Sequence, residues 1–97
     1  MQPLNLQCKN TPPPTVIITS PSNNSTVQKK KPVTINATAT GVTKVEFYVD
    51  GTLQLTDTTS PYSYSWTPSQ IKTYSLQANA YDALGNVGVA TASVNVK

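Results

Sequence analysis

The chain of 97 residues and 10.4 kDa holds one domain and leaves no room for a second independent core. It has no histidine, one cysteine and four acids (Glu46, Asp50, Asp57 and Asp82), which removes the commonest general base, any internal disulfide and any Cys-based zinc site. The net charge of +3 equals the run Lys29-Lys30-Lys31, and a lone lysine tripeptide without arginine reads as a solvated loop, not a nucleic-acid surface.

Residues 1 to 14 show no periodicity and end in Pro12-Pro13-Pro14, the composition of a stiff, extended leader or linker. Within it, Cys8 reads as a free thiol able to cross-link two copies, since neither an apolar run nor a small preceding residue marks it for lipidation. From Thr15 onward the apolar residues alternate with polar ones, and turn residues recur every eight to ten positions. The first strand runs from Thr15 to Ser20 and closes at Pro21-Ser22-Asn23-Asn24, with a short piece from Thr26 to Gln28 after it. Val33, Ile35, Ala37 and Ala39 then face inward against Thr34, Asn36, Thr38 and Thr40. Gly41 ends that strand.

Val45, Phe47 and Val49 alternate with Lys44, Glu46 and Tyr48 in the next strand. Asp50-Gly51 follows as a two-residue hairpin signal requiring positive φ, and Leu53 and Leu55 return on the partner. Tyr62, Tyr64 and Trp66 share one face after Ser60-Pro61. In the run Tyr74 to Tyr81, residues Tyr74, Leu76, Ala78 and Ala80 point inward. Asp82-Ala83-Leu84-Gly85-Asn86 turns the chain into a last strand, Val87 to Val96. There Val87 and Val89 are out of phase with Val94 and Val96, which predicts a β-bulge. Seven to eight strands in about 85 residues, with no helical stripe, predict an all-β, immunoglobulin-like antiparallel β-sandwich from residue 15 to 97.

Four segments carry a family likeness. They are Val16-Ile17-Ile18-Thr19-Ser20-Pro21 with Asn24 and Thr26-Val27; Val45-Glu46-Phe47-Tyr48-Val49-Asp50-Gly51; Pro61-Tyr62-Ser63-Tyr64-Ser65-Trp66; and Ala80-Tyr81-Asp82-Ala83-Leu84-Gly85-Asn86-Val87-Gly88. In this order and spacing the chain resembles the bacterial immunoglobulin-like (Big) modules repeated in secreted polysaccharide-degrading enzymes, proteases and adhesins. The resemblance implies an extracellular or cell-surface accessory module, without catalysis, whose partners are the neighbouring domains of one polypeptide. No signal sequence and no stretch of about 20 apolar residues is visible. The isolated domain is expected to be a monomer. Antibody domains pack a tryptophan against a disulfide. Here Ala37 and Ala78 take the corresponding inward positions, so the core depends on Phe47, Tyr64, Trp66 and Leu76.

The candidate sites follow from residue type. Asp50 and Asp82 open turns, where aspartate bonds the local backbone, and no serine or threonine has a histidine to activate it. No catalytic residue is therefore assigned. No cofactor is expected; calcium is the one metal considered, through Asp82 and Asn86 in one loop with Asp57 from another connection, short of the six to eight oxygens it takes. The sequons at Asn23, Asn24 and Asn36 follow from the Asn/Ser/Thr-rich composition. The alternative function is carbohydrate binding, because Tyr48 and Tyr81 point outward from adjacent strands beside Glu46, Gln77 and Asn79. Antiparallel pairing sets the two tyrosines four residues apart, about 14 Å along the strand.

Overall fold

The computed structural model describes residues 14–97. The leader before Pro14, and Cys8 within it, lie outside the described residues. Eight strands follow in chain order: β1 Val16–Ser20, β2 Ser25–Val27, β3 Val33–Ala39, β4 Lys44–Val49, β5 Thr52–Asp57, β6 Tyr62–Trp66, β7 Thr73–Tyr81 and β8 Val87–Val96. They form two sheets, one of three strands in the order β1-β3-β6 and one of five in the order β2-β8-β7-β4-β5. Every pairing is antiparallel except β2 with β8, which is parallel. No helix is present among the described residues, and so none that could cross a membrane.

Period-2 alternation accounts for the core. Ile35 and Ala37 of β3, Val45, Phe47 and Val49 of β4, and Tyr74, Leu76, Ala78 and Ala80 of β7 are all buried. The two sheets meet through aromatic rings. Phe47 stacks on Tyr64 with centroids 6.3 Å apart, and Trp66 meets Tyr74 edge-on at 4.8 Å. Along the open side of the sandwich, the Tyr64 hydroxyl donates to Gln54 Oε1 at 3.2 Å, tying β6 to β5 across the sheets.

The β4–β5 hairpin turns on Asp50 (φ 51°) and Gly51 (φ 80°), with Val49 opposite Thr52. Two consecutive positive φ values match the right-handed twist of the flanking strands, so this short turn closes without splaying them. Beyond it β5 is an edge strand. Both Leu53 and Leu55 are exposed, because one row faces solvent and the other overhangs the rim of the core. A register shift between Phe47 and Tyr48 leaves Gln54 as an extra residue on β5.

The bulge expected in β8 does not occur. Its register against β7 is continuous from Thr73↔Asn95 to Tyr81↔Val87. Even-numbered residues face inward throughout, and Val87 and Val89 belong to the outer face, where they are exposed. The inward positions at that end are Gly88, Ala90 and Ala92, whose small side chains hid the phase. Gly88 is small because the incoming chain passes over it. A Cβ on Gly88 would run into the carbonyl oxygen of Pro14. Gly88→Val is therefore expected to push the first strand off β8 and cost about 1–3 kcal/mol. A fall in the melting temperature of several degrees checks it, at about 4–8 °C per kcal/mol for a domain of this size. An unchanged melting temperature would mean that Pro14 does not seat there.

Candidate functional site

The register of β4 on β7 builds the tyrosine face. Lys44 lies opposite Tyr81, Glu46 opposite Asn79 and Tyr48 opposite Gln77, so the two tyrosines are four residues apart in register. All five predicted carbohydrate-binding residues lie half-buried on this outer surface. Their side chains, however, are engaged with one another. The Tyr48 hydroxyl donates to Glu46 Oε1 at 2.9 Å, and Tyr81 is a second hydrogen-bond partner of the same carboxylate. Lys44 Nζ lies 3.7 Å from Glu46 Oε2 and 4.7 Å from the centre of the Tyr81 ring. Gln77 Nε2 donates to Asn79 Oδ1 at 2.8 Å.

Glu46 is thus the hub of the face. To reach a residue two positions back, the Tyr48 ring must lie along its own strand. Tyr81 reaches the carboxylate diagonally, with an ammonium over one face of its ring. Lys44 was not among the predicted site residues, although its place two before Glu46 in an alternating strand puts it on the same face.

The electrostatics follow the bonding. Burial pushes the Glu46 carboxyl upward, but the Tyr81 and Tyr48 hydroxyls and the Lys44 charge outweigh it and hold the group below its ordinary value. Hydrogen bonding to Glu46 raises both phenols above theirs. Asp50 is lowered by the Lys72 ammonium and the Ser75 amide, and Asp82 by the Asn86 side chain and nearby backbone amides.

The pH dependence has two limbs. Depressed carboxylates contribute stability above their unfolded values of about 4, and lose it as pH falls through the lower folded values. Raised phenols contribute stability below about 10, and lose it as pH climbs through the higher folded values. The melting temperature is expected to be level between about pH 5 and pH 9 and to fall outside that range. In Glu46→Gln the alkaline limb should move toward the ordinary tyrosine value, read by ultraviolet titration of the phenols. An unmoved tyrosine titration would contradict the hub.

The remaining acids hold the framework. Asp82 Oδ1 accepts from Leu84 N and Asn86 N, both at 2.9 Å, and Oδ2 accepts from Asn86 Nδ2 at 3.0 Å. The structure therefore brings together the pair considered for calcium. Asp57, the third candidate, accepts from Thr59 N and Ser63 N instead. Among the described residues, no three acidic, His or Cys side chains cluster as metal ligands would. Asp50 differs from the local turn bonding expected of it. Its oxygens accept from Ser75 N at 2.8 Å and Lys72 Nζ at 2.7 Å, because the β4–β7 register continues one step past Val49↔Leu76 and sets Asp50 beside Ser75.

Two facing sheets of this topology, with an aromatic seam and no cross-link among the described residues, define an immunoglobulin-like β-sandwich. The chain belongs to the bacterial Ig domain family, whose model matches residues 14–78. It is an accessory domain of the kind found in larger bacterial proteins. Among solved structures it is similar to the fibronectin(III)-like modules of Clostridium thermocellum CbhA, at 27% identity and a TM-score of 0.77 over 86% of this chain and 96% of that one. The CARDB domain of a Pyrococcus furiosus protein, solved with di-metal ions, shares the fold at 23% identity and a TM-score of 0.64, covering 90% of this chain and 96% of the other. A Jonesia denitrificans lytic polysaccharide monooxygenase shares it at 15% identity and a TM-score of 0.57, covering 76% of this chain and 58% of that one. No curated protein matches the chain.

Proposed function

We propose that this domain is a non-catalytic, in-line spacer that holds neighbouring domains of a secreted bacterial polypeptide at a set distance outside the cell. The observation that carries this reading is the position of the two chain ends. Pro14 sits against Gly88 at the start of β8, and Lys97 follows Val96 at its far end. The eight steps between Gly88 and Val96 separate entry from exit by about 27 Å at about 3.4 Å per residue. A chain that enters at one pole and leaves at the other adds its own length to any polypeptide carrying it. Family membership and the likeness to fibronectin(III)-like modules support the accessory, extracellular setting. The engagement of all four carboxylates with the domain's own donors supports a role without chemistry.

Direct fusions of two and three copies test the reading by small-angle X-ray scattering. The maximum dimension should grow by about 30 Å per added copy, close to the separation of entry from exit. Copies that fold back side by side would sink it.

A second reading, glycan adhesion on the outer face, is favoured by the Tyr48 ring lying along its strand beside Asn79 and Gln77. Retardation of the chain in polysaccharide-containing gels, lost in Tyr48→Ala, would decide for it.

A further inference from the structure

The topology sorts the charges of this domain between its two ends. At the exit pole, Lys29 N donates to Lys97 O at 2.9 Å, Lys30 N to Pro68 O at 2.8 Å, and Val96 N to Lys72 O at 2.9 Å. These bonds gather the 28–31 loop, the 67–72 connection and the last strand, so Lys29, Lys30, Lys31, Lys72 and Lys97 share one pole. Only Asp50 offsets them there, through its 2.7 Å ion pair with Lys72. In their midst Ile71 keeps 67% of its surface exposed.

The entry pole is the opposite. Val45 pairs with Asp57, and Tyr81 pairs with Val87, which brings Asp57 and Asp82 to the end where Pro14 enters. Lys44 is also at that end, but its ammonium is paired with Glu46. Leu84, at the tip of the Asp82 turn, is 75% exposed. Each pole therefore carries a highly exposed aliphatic side chain, Ile71 at one and Leu84 at the other, amid charges whose balance is positive at the first and negative at the second.

From this we infer that the two poles are complementary docking surfaces, the lysine pole of one copy receiving the acidic pole of a second copy head to tail. Charge complementarity within one chain points to a second copy as the occupant, and the covalent order agrees with it. The chain leaves at the lysine pole and enters at the acidic one, so consecutive copies in one polypeptide present these surfaces to each other. The contact is heterologous and builds a line, not a closed ring. In giving the spacer its stiffness, the inference rests on the in-line reading above.

A pole two sheets thick offers about 400 Å² per copy, given sheets about 10 Å apart, which is half of what a stable interface buries on each partner. Docking between free copies is therefore weak, with a dissociation constant on the order of millimolar. A covalent neighbour supplies a comparable effective concentration by itself.

Sedimentation and scattering of the 97-residue chain, from about 10 µM to about 2 mM, test it. At about 0.01 M salt, where charges act over about 30 Å, apparent mass and length should rise together with concentration. At about 0.3 M salt the rise should vanish. The triple variant Lys29→Glu, Lys30→Glu, Lys31→Glu should stay monomeric, and so should Ala83→Lys with Leu84→Lys, with both folds verified by circular dichroism. An equimolar mixture of the two variants should associate again, because each now offers the pole the other lacks. The inference is overturned by a chain that stays monomeric at the highest concentration in low salt. Association indifferent to salt and to these substitutions also overturns it, and points to pairing along the β5 edge. Association only on adding a polyanion overturns it in favour of a different partner. Fusions that lengthen with each copy while free copies fail to associate would retain the spacer and remove only the docking.

Discussion

Phe47→Ala is expected to destabilise the domain by about 3–5 kcal/mol, the range for deleting a buried aromatic side chain. Domains of this kind are stable by about 5–15 kcal/mol in total, so this one change removes a large part of the margin. The upper half of the range is expected because the cavity has little to fill it. Phe47 is 1% exposed, faces Ala78 on β7 and stacks on Tyr64 from the other sheet. Alanine recurs among its buried neighbours at positions 37, 78 and 80, and a methyl group cannot swing into vacated space. Denaturant unfolding followed by circular dichroism gives the value. Phe47→Leu should cost much less, about 1.5 kcal/mol or below. A loss under about 1 kcal/mol for the alanine variant would mean that the sheets are not packed through this ring.

Trp66→Ala is expected to cost a similar amount, about 3–5 kcal/mol, by a different route. Trp66 is 7% exposed and ends β6, opposite Val33. Its edge-on contact with Tyr74 continues outward, since Lys72 Nζ lies 4.8 Å from the centre of the Tyr74 ring. Tryptophan, tyrosine and lysine thus form one stack from the core to the lysine pole. Removing its base should loosen the pole as well as the core, visible as faster amide hydrogen exchange at Lys72 and Thr73 in the partly folded variant. Trp66→Phe should recover most of the stability. A folded alanine variant with unchanged stability would place Trp66 outside the core.

The sequence was most legible where side-chain size and phase agreed. Val45-Phe47-Val49 and Tyr74-Leu76-Ala78-Ala80 identified their inward rows because each polar neighbour stood on the opposite face. The β8 strand was misread because its inward row begins with Gly88, Ala90 and Ala92 while its outward row begins with two valines. Hydrophobicity alone therefore pointed the wrong way. What demands glycine at position 88 is the passage of Pro14, a contact 74 positions away in sequence.

Something similar holds at the tyrosine face. Alternation and antiparallel pairing gave the four-residue offset between Tyr48 and Tyr81. They could not give the lean of each ring toward Glu46, which depends on side-chain torsions and not on strand phase. The lysine tripeptide looked isolated because Lys72 and Lys97 join it only through the closure of three separate segments.

The single parallel pairing has a mechanical consequence. The first two strands run from the entry pole toward the exit pole, and β2 lies beside β8 at Ser25↔Val94, Thr26↔Asn95 and Val27↔Val96. If tension is applied across the two chain ends, β2 is drawn toward one pole and β8 toward the other. The hydrogen bonds between them are then loaded in shear, all at once, and do not open in succession as they would in a peeled hairpin. A short parallel clamp at the exit pole, between the second strand and the last, lets the sandwich bear a pulling load between its two poles before the larger sheet unravels.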